Sequence, residues 1–228
     1  MTIFTFVFKR FFRKPSNVVF LLILPIASVF LPVGEWLPIP LGFQYYGLLL
    51  LFIAARLASV IMEDRMNKTL LRIGVAPVTH FQYLWQNLLA YSIILIAVNL
   101  VVVIVGVAVH GGKLISPVLL FIIYSFFSMT AIGLSLAWYS LFRNKEAATS
   151  VFGGVVMLIG MLGGVMWPVE IMPELLQRIA MLLPTYWLTE GIILVISGAS
   201  IIDLGLPLAM MMMFSIAFLL LGSRRKLA

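Results

Sequence analysis

Residues 83–109 read YLWQNLLAYSIILIAVNLVVVIVGVAV, a run without one charged side chain that ends at His110, Gly111, Gly112 and Lys113. A helix of roughly 20 apolar residues matches the ~30 Å hydrocarbon core of a bilayer, so this stretch places the chain in a membrane. Outward from it, further apolar runs fall at about residues 17–33, 41–62, 115–142, 148–167 and 204–222. The fold class implied is an all-α integral membrane protein with six transmembrane helices. Composition agrees: of 228 residues, 63% are hydrophobic and 10% charged, against roughly 45–50% and 25% in soluble domains. Six spans and their connections use up the length, so residues 1–228 read as a single transmembrane domain with no soluble catalytic unit. One more stretch, 185–202, is apolar but short. It contains Glu190 and follows Pro168, Pro173 and Pro184, so residues 168–203 read as a re-entrant outer hairpin between the fifth and sixth spans.

Charge asymmetry orients these spans, because Lys and Arg in short loops stay on the cytoplasmic side. With the N-terminus inside, the cytoplasmic cations are Lys9, Arg10, Arg13, Lys14, Arg56, Arg65, Lys68, Arg72, Arg143, Lys145, Arg224, Arg225 and Lys226. Only Lys113 and Arg178 fall outside, beside Glu35, Glu170, Glu174, Glu190 and Asp203. A seventh crossing would move Arg224, Arg225 and Lys226 to the outer face, so both termini are expected in the cytoplasm. Phenylalanines alternate with Lys9, Arg10, Arg13 and Lys14 over residues 1–15, which suits an uncleaved helix lying in the cytoplasmic interface with its cations near anionic headgroups. The location implied is a multi-pass protein of a bacterial or archaeal plasma membrane.

Several chemistries are excluded. There are no cysteines, and His80 and His110 are the two histidines, so thiolate nucleophiles and metal-ligand clusters are not expected. The net charge of +7 sits between spans rather than on a nucleic-acid-binding face, and no nucleic-acid partner is expected. Gly111-Gly112-Lys113 is followed by Leu114 and is not a phosphate-binding loop. The chain therefore reads as a non-enzyme with no cofactor of its own. Arg56, near the end of the second span, can snorkel to the cytoplasmic interface, a topological role preferred over substrate binding. Gly153, Gly160 and Gly164 share one face of the fifth span, which permits close approach of another helix, either within the chain or across a dimer. Trp167, Tyr186 and Trp187 suit the headgroup layer beside the carboxylates of Glu170, Glu174 and Glu190. The loop over 63–79 places Leu70 and Leu71 against Glu63, Asp64, Arg65, Lys68 and Arg72, and Gly74 and Pro77 terminate it. It reads as a short amphipathic helix on the cytoplasmic surface.

Residues 63–77 resemble the segment after the second span of type-2 ABC exporter permeases, with Thr69-Leu70 and Ala76-Pro77 standing where that pattern has them. Lys68 occupies the place of the family's usual glycine. A second stretch is similar to the family's small-residue fifth span, proline-rich linker and outer hairpin. It carries Gly163, Gly164, Trp167, Pro168, Glu170, Pro173 and Glu174, then Pro184, Tyr186 and Trp187. The resemblance spans nearly the whole chain and implies that the loop over 63–79 is a coupling helix. Through it, two cytoplasmic ATPase subunits, which bind the ATP and Mg, would drive a permease dimer of identical or related chains. Apolar spans with few charges argue against a hydrated ion path and suit an amphiphilic cargo, such as an antibiotic, an antimicrobial peptide or a lipid-like molecule. A membrane scaffold or sensor subunit, or a gradient-driven secondary transporter, remains an alternative.

Overall fold

The computed structural model describes residues 2–13, 15–34, 36–59, 62–63 and 79–224. Lys14 and the loop residues Asp64, Arg65, Lys68, Thr69, Leu70, Leu71, Arg72, Gly74 and Pro77 lie outside the described residues. Of the expected coupling loop, Glu63 and Thr79 are placed.

The described residues form α1 (Thr2–Phe12), α2 (Pro15–Val29), α3 (Leu41–Gln44), α4 (Tyr46–Ala58), α5 (His80–His110), α6 (Pro117–Leu141), α7 (Lys145–Leu162), α8 (Glu174–Ala180), α9 (Pro184–Ile196) and α10 (Gly205–Ser223). Single 3-10 turns lie at Gly111–Lys113 and Val169–Ile171. Four helices, α5, α6, α7 and α10, are long and apolar enough to cross a bilayer, and α8 with α9 makes a fifth candidate bent by 92°. The first two expected spans are shorter than anticipated. Helix α2 has 15 residues and α4 has 13, which at 1.5 Å per residue rise about 22 and 20 Å. The second expected span is divided at Tyr45, which separates α3 from α4.

Local chemistry sets the ends. Thr79 and Gln82 form a reciprocal capping box, Gln82 N donating to Thr79 Oγ1 and Thr79 N to Gln82 Oε1. That cap starts α5 three residues before the apolar run. Asn144 Oδ1 accepts from the backbone N of Glu146 and Ala147, which starts α7 at Lys145 rather than at residue 148. Pro25 lies inside α2. Pro207 instead falls in the first turn of α10, where a missing N–H removes no intrahelical bond, so it need not kink the helix.

Helix α6 is the centre. It packs against α10, α5, α4, α9 and α7, and residues on all its sides are buried, among them Ile123, Phe127, Ala131, Leu136 and Tyr139. Its seam with α10 is built from small residues: a Cβ at Gly133 would lie 3.1 Å from Ser215 O, and one at Gly222 would lie 3.2 Å from Ala137 Cα. Thr130 Oγ1 donates to Met211 O at 2.7 Å and Ser215 Oγ to Met129 O at 3.1 Å. Close backbones joined by hydroxyl bonds are how apolar helices associate when lipid removes the hydrophobic driving force. Helix α1 packs on α5 and α2. Ile3, Val7 and Phe11, one turn apart, form its buried stripe, while Lys9 and Arg13 are exposed.

Candidate functional site

A cavity of about 700 Å³ opens at the end of the bundle where α4 finishes and α7 begins. Small-molecule sites occupy roughly 300–1,000 Å³. Each wall comes from a different helix: Val7, Arg10 and Phe11 from α1, Leu24 from α2, Phe52 and Arg56 from α4, Tyr91 from α5, and Phe152 from α7. Its surface is mainly apolar, yet Arg10, Arg56, Glu63 and Lys145 all reach it, with the hydroxyls of Tyr91, Tyr139 and Thr149.

The polar groups are positioned by one another. Arg10 Nη2 donates to Tyr91 Oη at 3.2 Å, and the guanidinium lies 5.4 Å from the centre of the Phe6 ring on its own helix. The Phe4 backbone N donates to Gln86 Oε1 at 3.2 Å, fixing α1 on α5. Lys145 Nζ meets Glu63 Oε1 at 2.5 Å, joining the first turn of α7 to the start of the loop. Tyr139 Oη and Thr149 Oγ1 are 3.0 Å apart, and Trp138 Nε1 donates to Ala148 O at 2.9 Å. Both contacts hold the beginning of α7 on the end of α6. Topology was the sequence reading for Arg56 and Lys145, and a place in an interfacial helix the reading for Arg10; no cavity was foreseen. Arg56, a cation inside an apolar run, was the available signal.

The hairpin lies at the other end of α7. Its three prolines each set a helix start: Pro168 and Pro173 precede Val169–Ile171 and α8, and Pro184 is the first residue of α9. Thr185 Oγ1 donates to Ile159 O at 2.5 Å, which ties the hairpin to α7, and Gln44 Nε2 donates to Val165 O at 3.1 Å, which ties the turn between them to α3. Trp187 Nε1 donates to Met181 O at 2.9 Å, and the Tyr186 and Trp187 rings meet edge-on at 5.2 Å. Trp167, Tyr186, Trp187 and Glu190 are partly buried, while Glu170 and Glu174 are exposed. In the turn before α10, Asp203 Oδ2 accepts from both the hydroxyl and the backbone N of Ser200 at 2.8 Å. Those bonds hold its carboxyl below the usual carboxylate range.

Two of the three fifth-span glycines are buried. A Cβ at Gly160 would overlap Leu48 of α4, and Gly164, with φ +82°, lies against Val169. Gly153 is looser, 4.0 Å from the Phe52 ring. The close approach at Gly160 and Gly164 is thus occupied by residues of the same chain.

Comparison with known proteins agrees with this architecture. Residues 37–224 match the ABC-2 family transporter protein family. The chain belongs to the ABC-2 transporter family. The match takes in every helix from α3 to α10, including both ends of α7. Membership places the chain among membrane transport components. The Linearmycin resistance permease protein LnrN of Bacillus subtilis (strain 168) is 29% identical over 90 residues. That alignment spans 39% of this chain and 23% of the relative. No solved structure matches the chain.

Proposed function

We propose that the chain is the permease subunit of an ATP-driven exporter that moves an amphiphilic cargo out of the cell. In this reading α2 and the α3–α4 pair also cross the bilayer, giving six spans with both termini in the cytoplasm. A second permease copy, identical or related, and two ATPase subunits complete the machine. The observation that carries the reading is the cavity between α1, α4 and α7, whose mainly apolar walls and cationic rim suit a molecule with a greasy body and a polar head. Family membership supports the dependence on an ATPase, and the resemblance of residues 63–77 to a coupling helix supports the docking surface.

Closure of the ATPase subunits would push on the 63–79 loop. Glu63 bonds Lys145, so a push there reaches the first turn of α7, and α7 ends against the hairpin through Thr185. The hairpin, with Trp167, Tyr186 and Trp187 at its rim, would then be the outer gate.

The test is purification of the full chain from its own membrane in mild detergent, with mass spectrometry of what co-elutes. A soluble protein with a phosphate-binding loop is expected, and it is expected to be lost from a variant carrying Leu71→Asp and Arg72→Asp that still inserts in the membrane. An ATPase-free preparation that retains other complexes, or undiminished export by that variant, would overturn the coupling assignment.

A further inference from the structure

We infer that Gln44 is a latch on the hairpin: its amide holds the turn after α7 against α3 and lets it go when the gate opens. The inference deepens the transport reading, and rests on it for the hairpin's being a gate.

The amide joins two places where the backbone is irregular. Gln44 is the last residue of α3, just before the break at Tyr45. On the other side, α7 closes with Val165 N donating to Gly160 O at 3.0 Å and with Gly164 at φ +82°, the ending in which a left-handed glycine turns the chain off the helix axis. Val165 O is the first carbonyl beyond that glycine, and Gln44 Nε2 donates to it. Moving segments bend at a few such element-terminal residues. A hydrogen bond across two of them therefore opposes movement of the hairpin away from α3.

The other half of the amide marks a latch rather than a fixed tie. Gln44 is 2% exposed, yet its Oε1 has no hydrogen-bond partner among the described residues. That oxygen lies against Gly34, in the loop between α2 and α3, where a Cβ would come within 2.7 Å of it. Trp36 Nε1, two residues along the same loop, is likewise buried without a partner. Fixed ties in this bundle are made differently: the hydroxyls of Thr130 and Thr185 each donate to a carbonyl and bring no amide oxygen with them. A buried acceptor left unmet costs free energy of the same order as the neighbouring bond contributes. The closed arrangement is thus only weakly favoured, and a movement that admits water to Oε1 and to the Trp36 indole recovers the cost. Near balance between closed and released forms is what lets a modest force shift the population of a gate.

The chain has no cysteine, so Val165→Cys supplies a single thiol, and because Gln44 bonds the backbone carbonyl the substitution leaves the latch in place. Val165 is buried, so the reaction of that thiol with a membrane-impermeant maleimide, measured on the full chain in its own membrane, reports release of the turn. Gln44→Glu, of equal size but without the N–H donor, is expected to speed labelling about fivefold or more, the equivalent of one hydrogen bond. Gly34→Ala is expected to act in the same direction, since its methyl would displace the amide oxygen. Tyr124→Phe removes the hydroxyl that donates to the adjacent Phe43 O and spares the amide, so it should leave the rate unchanged. An unaltered rate in Gln44→Glu, or equal acceleration in Tyr124→Phe, would overturn the latch. Acid separates release from misfolding. A protonated carboxyl can donate to Val165 O in place of the amide, so acidification should return the Gln44→Glu rate toward that of Val165→Cys alone at the same pH, and a ratio of rates indifferent to pH counts against the proposal. Labelling needs neither ATP nor cargo, so these results bear on the latch alone. ATP supplied with the ATPase partner should raise labelling of Val165→Cys; no response to ATP, with the variants behaving as expected, would sink the exporter reading and leave the latch standing.

Discussion

At the scale of single residues, the buried polar chain across α4, α5 and α6 is the most informative feature outside the cavity. Tyr46 Oη donates to Asn99 Oδ1 at 2.8 Å, Asn99 Nδ2 donates to Ser128 Oγ at 2.9 Å, and Ser128 Oγ donates to Tyr124 O at 2.7 Å. Asn99 and Tyr46 are fully buried, and the Tyr46 ring stands edge-on to Tyr124 at 4.9 Å. Hydrogen bonds between membrane helices average only ~0.6 kcal/mol, because the partners find substitutes when separated. Here the Tyr46 ring is packed in place, so its hydroxyl has no substitute to turn to, and the cost of an orphaned buried donor, ~1–3 kcal/mol, governs. Asn99→Leu is therefore expected to lower stability by about 2 kcal/mol. Ser92→Ala, which removes a buried hydroxyl without a hydrogen-bond partner among the described residues, should be near neutral. Unfolding in mixed micelles compares them; equal losses would show that burial alone sets the cost. Asn99 lies in the very stretch that announces the membrane fold. Its absence of charge was legible there, but which helix its amide meets depends on how α4 and α6 cross, and periodicity does not carry that.

Among the elements, the long spans were legible because hydropathy over roughly 20 residues is a strong signal: α5, α6, α7 and α10 stand within a few residues of their expected places. The bent pair α8–α9 falls where three prolines interrupt an apolar stretch. The shortness of α2 and α4 was not legible, since hydropathy averages over Tyr45 and over the prolines after α2 without registering where the backbone turns. Nor was the cavity, whose walls come from segments as distant as Arg10, Arg56 and Lys145. Packing between elements makes its own prediction at the α6–α10 seam. A side chain at Gly133 meets the backbone of Ser215 at 3.1 Å, and backbone cannot rotate away, so Gly133→Leu must spread the two helices. Overpacking of this kind costs ~1–3 kcal/mol. Gly154 of α7 has open space where its Cβ would be, so Gly154→Leu should cost the fold nothing and gain a little helix propensity. Thermal unfolding of the two variants in one detergent is the comparison, and a Gly133→Leu protein as stable as the parent would remove the seam from the account.

For the whole molecule, the question is how a force at the loop over 63–79 would reach the hairpin, and the Glu63–Lys145 pair is the link to break. The Glu63 side chain is 45% exposed and that of Lys145 35%, so the pair's contribution to stability is small, ~0–1 kcal/mol and screened by salt. Its position is what matters: Glu63 begins the loop, Lys145 opens α7, and Ile159 near the far end of α7 accepts from Thr185 of the hairpin. If the pair transmits motion, Glu63→Lys and Lys145→Glu should each cut ATP-driven transport by about fivefold or more, the lower range of coupling energies between sites. Unfolding temperature should barely move. Both residues also line the cavity, so loss of cargo binding must be told apart from loss of coupling, and the two reversals do this by themselves. Glu63→Lys makes the cavity more positive and Lys145→Glu makes it less so. An effect through the affinity for a charged cargo would therefore run in opposite directions, whereas an effect through the bridge runs the same way in both and is restored in the charge-swapped double variant. Transport measured in vesicles with the ATPase partner decides it: opposite effects of the single reversals, or a double variant no better than either, would break the path from loop to hairpin at its first step.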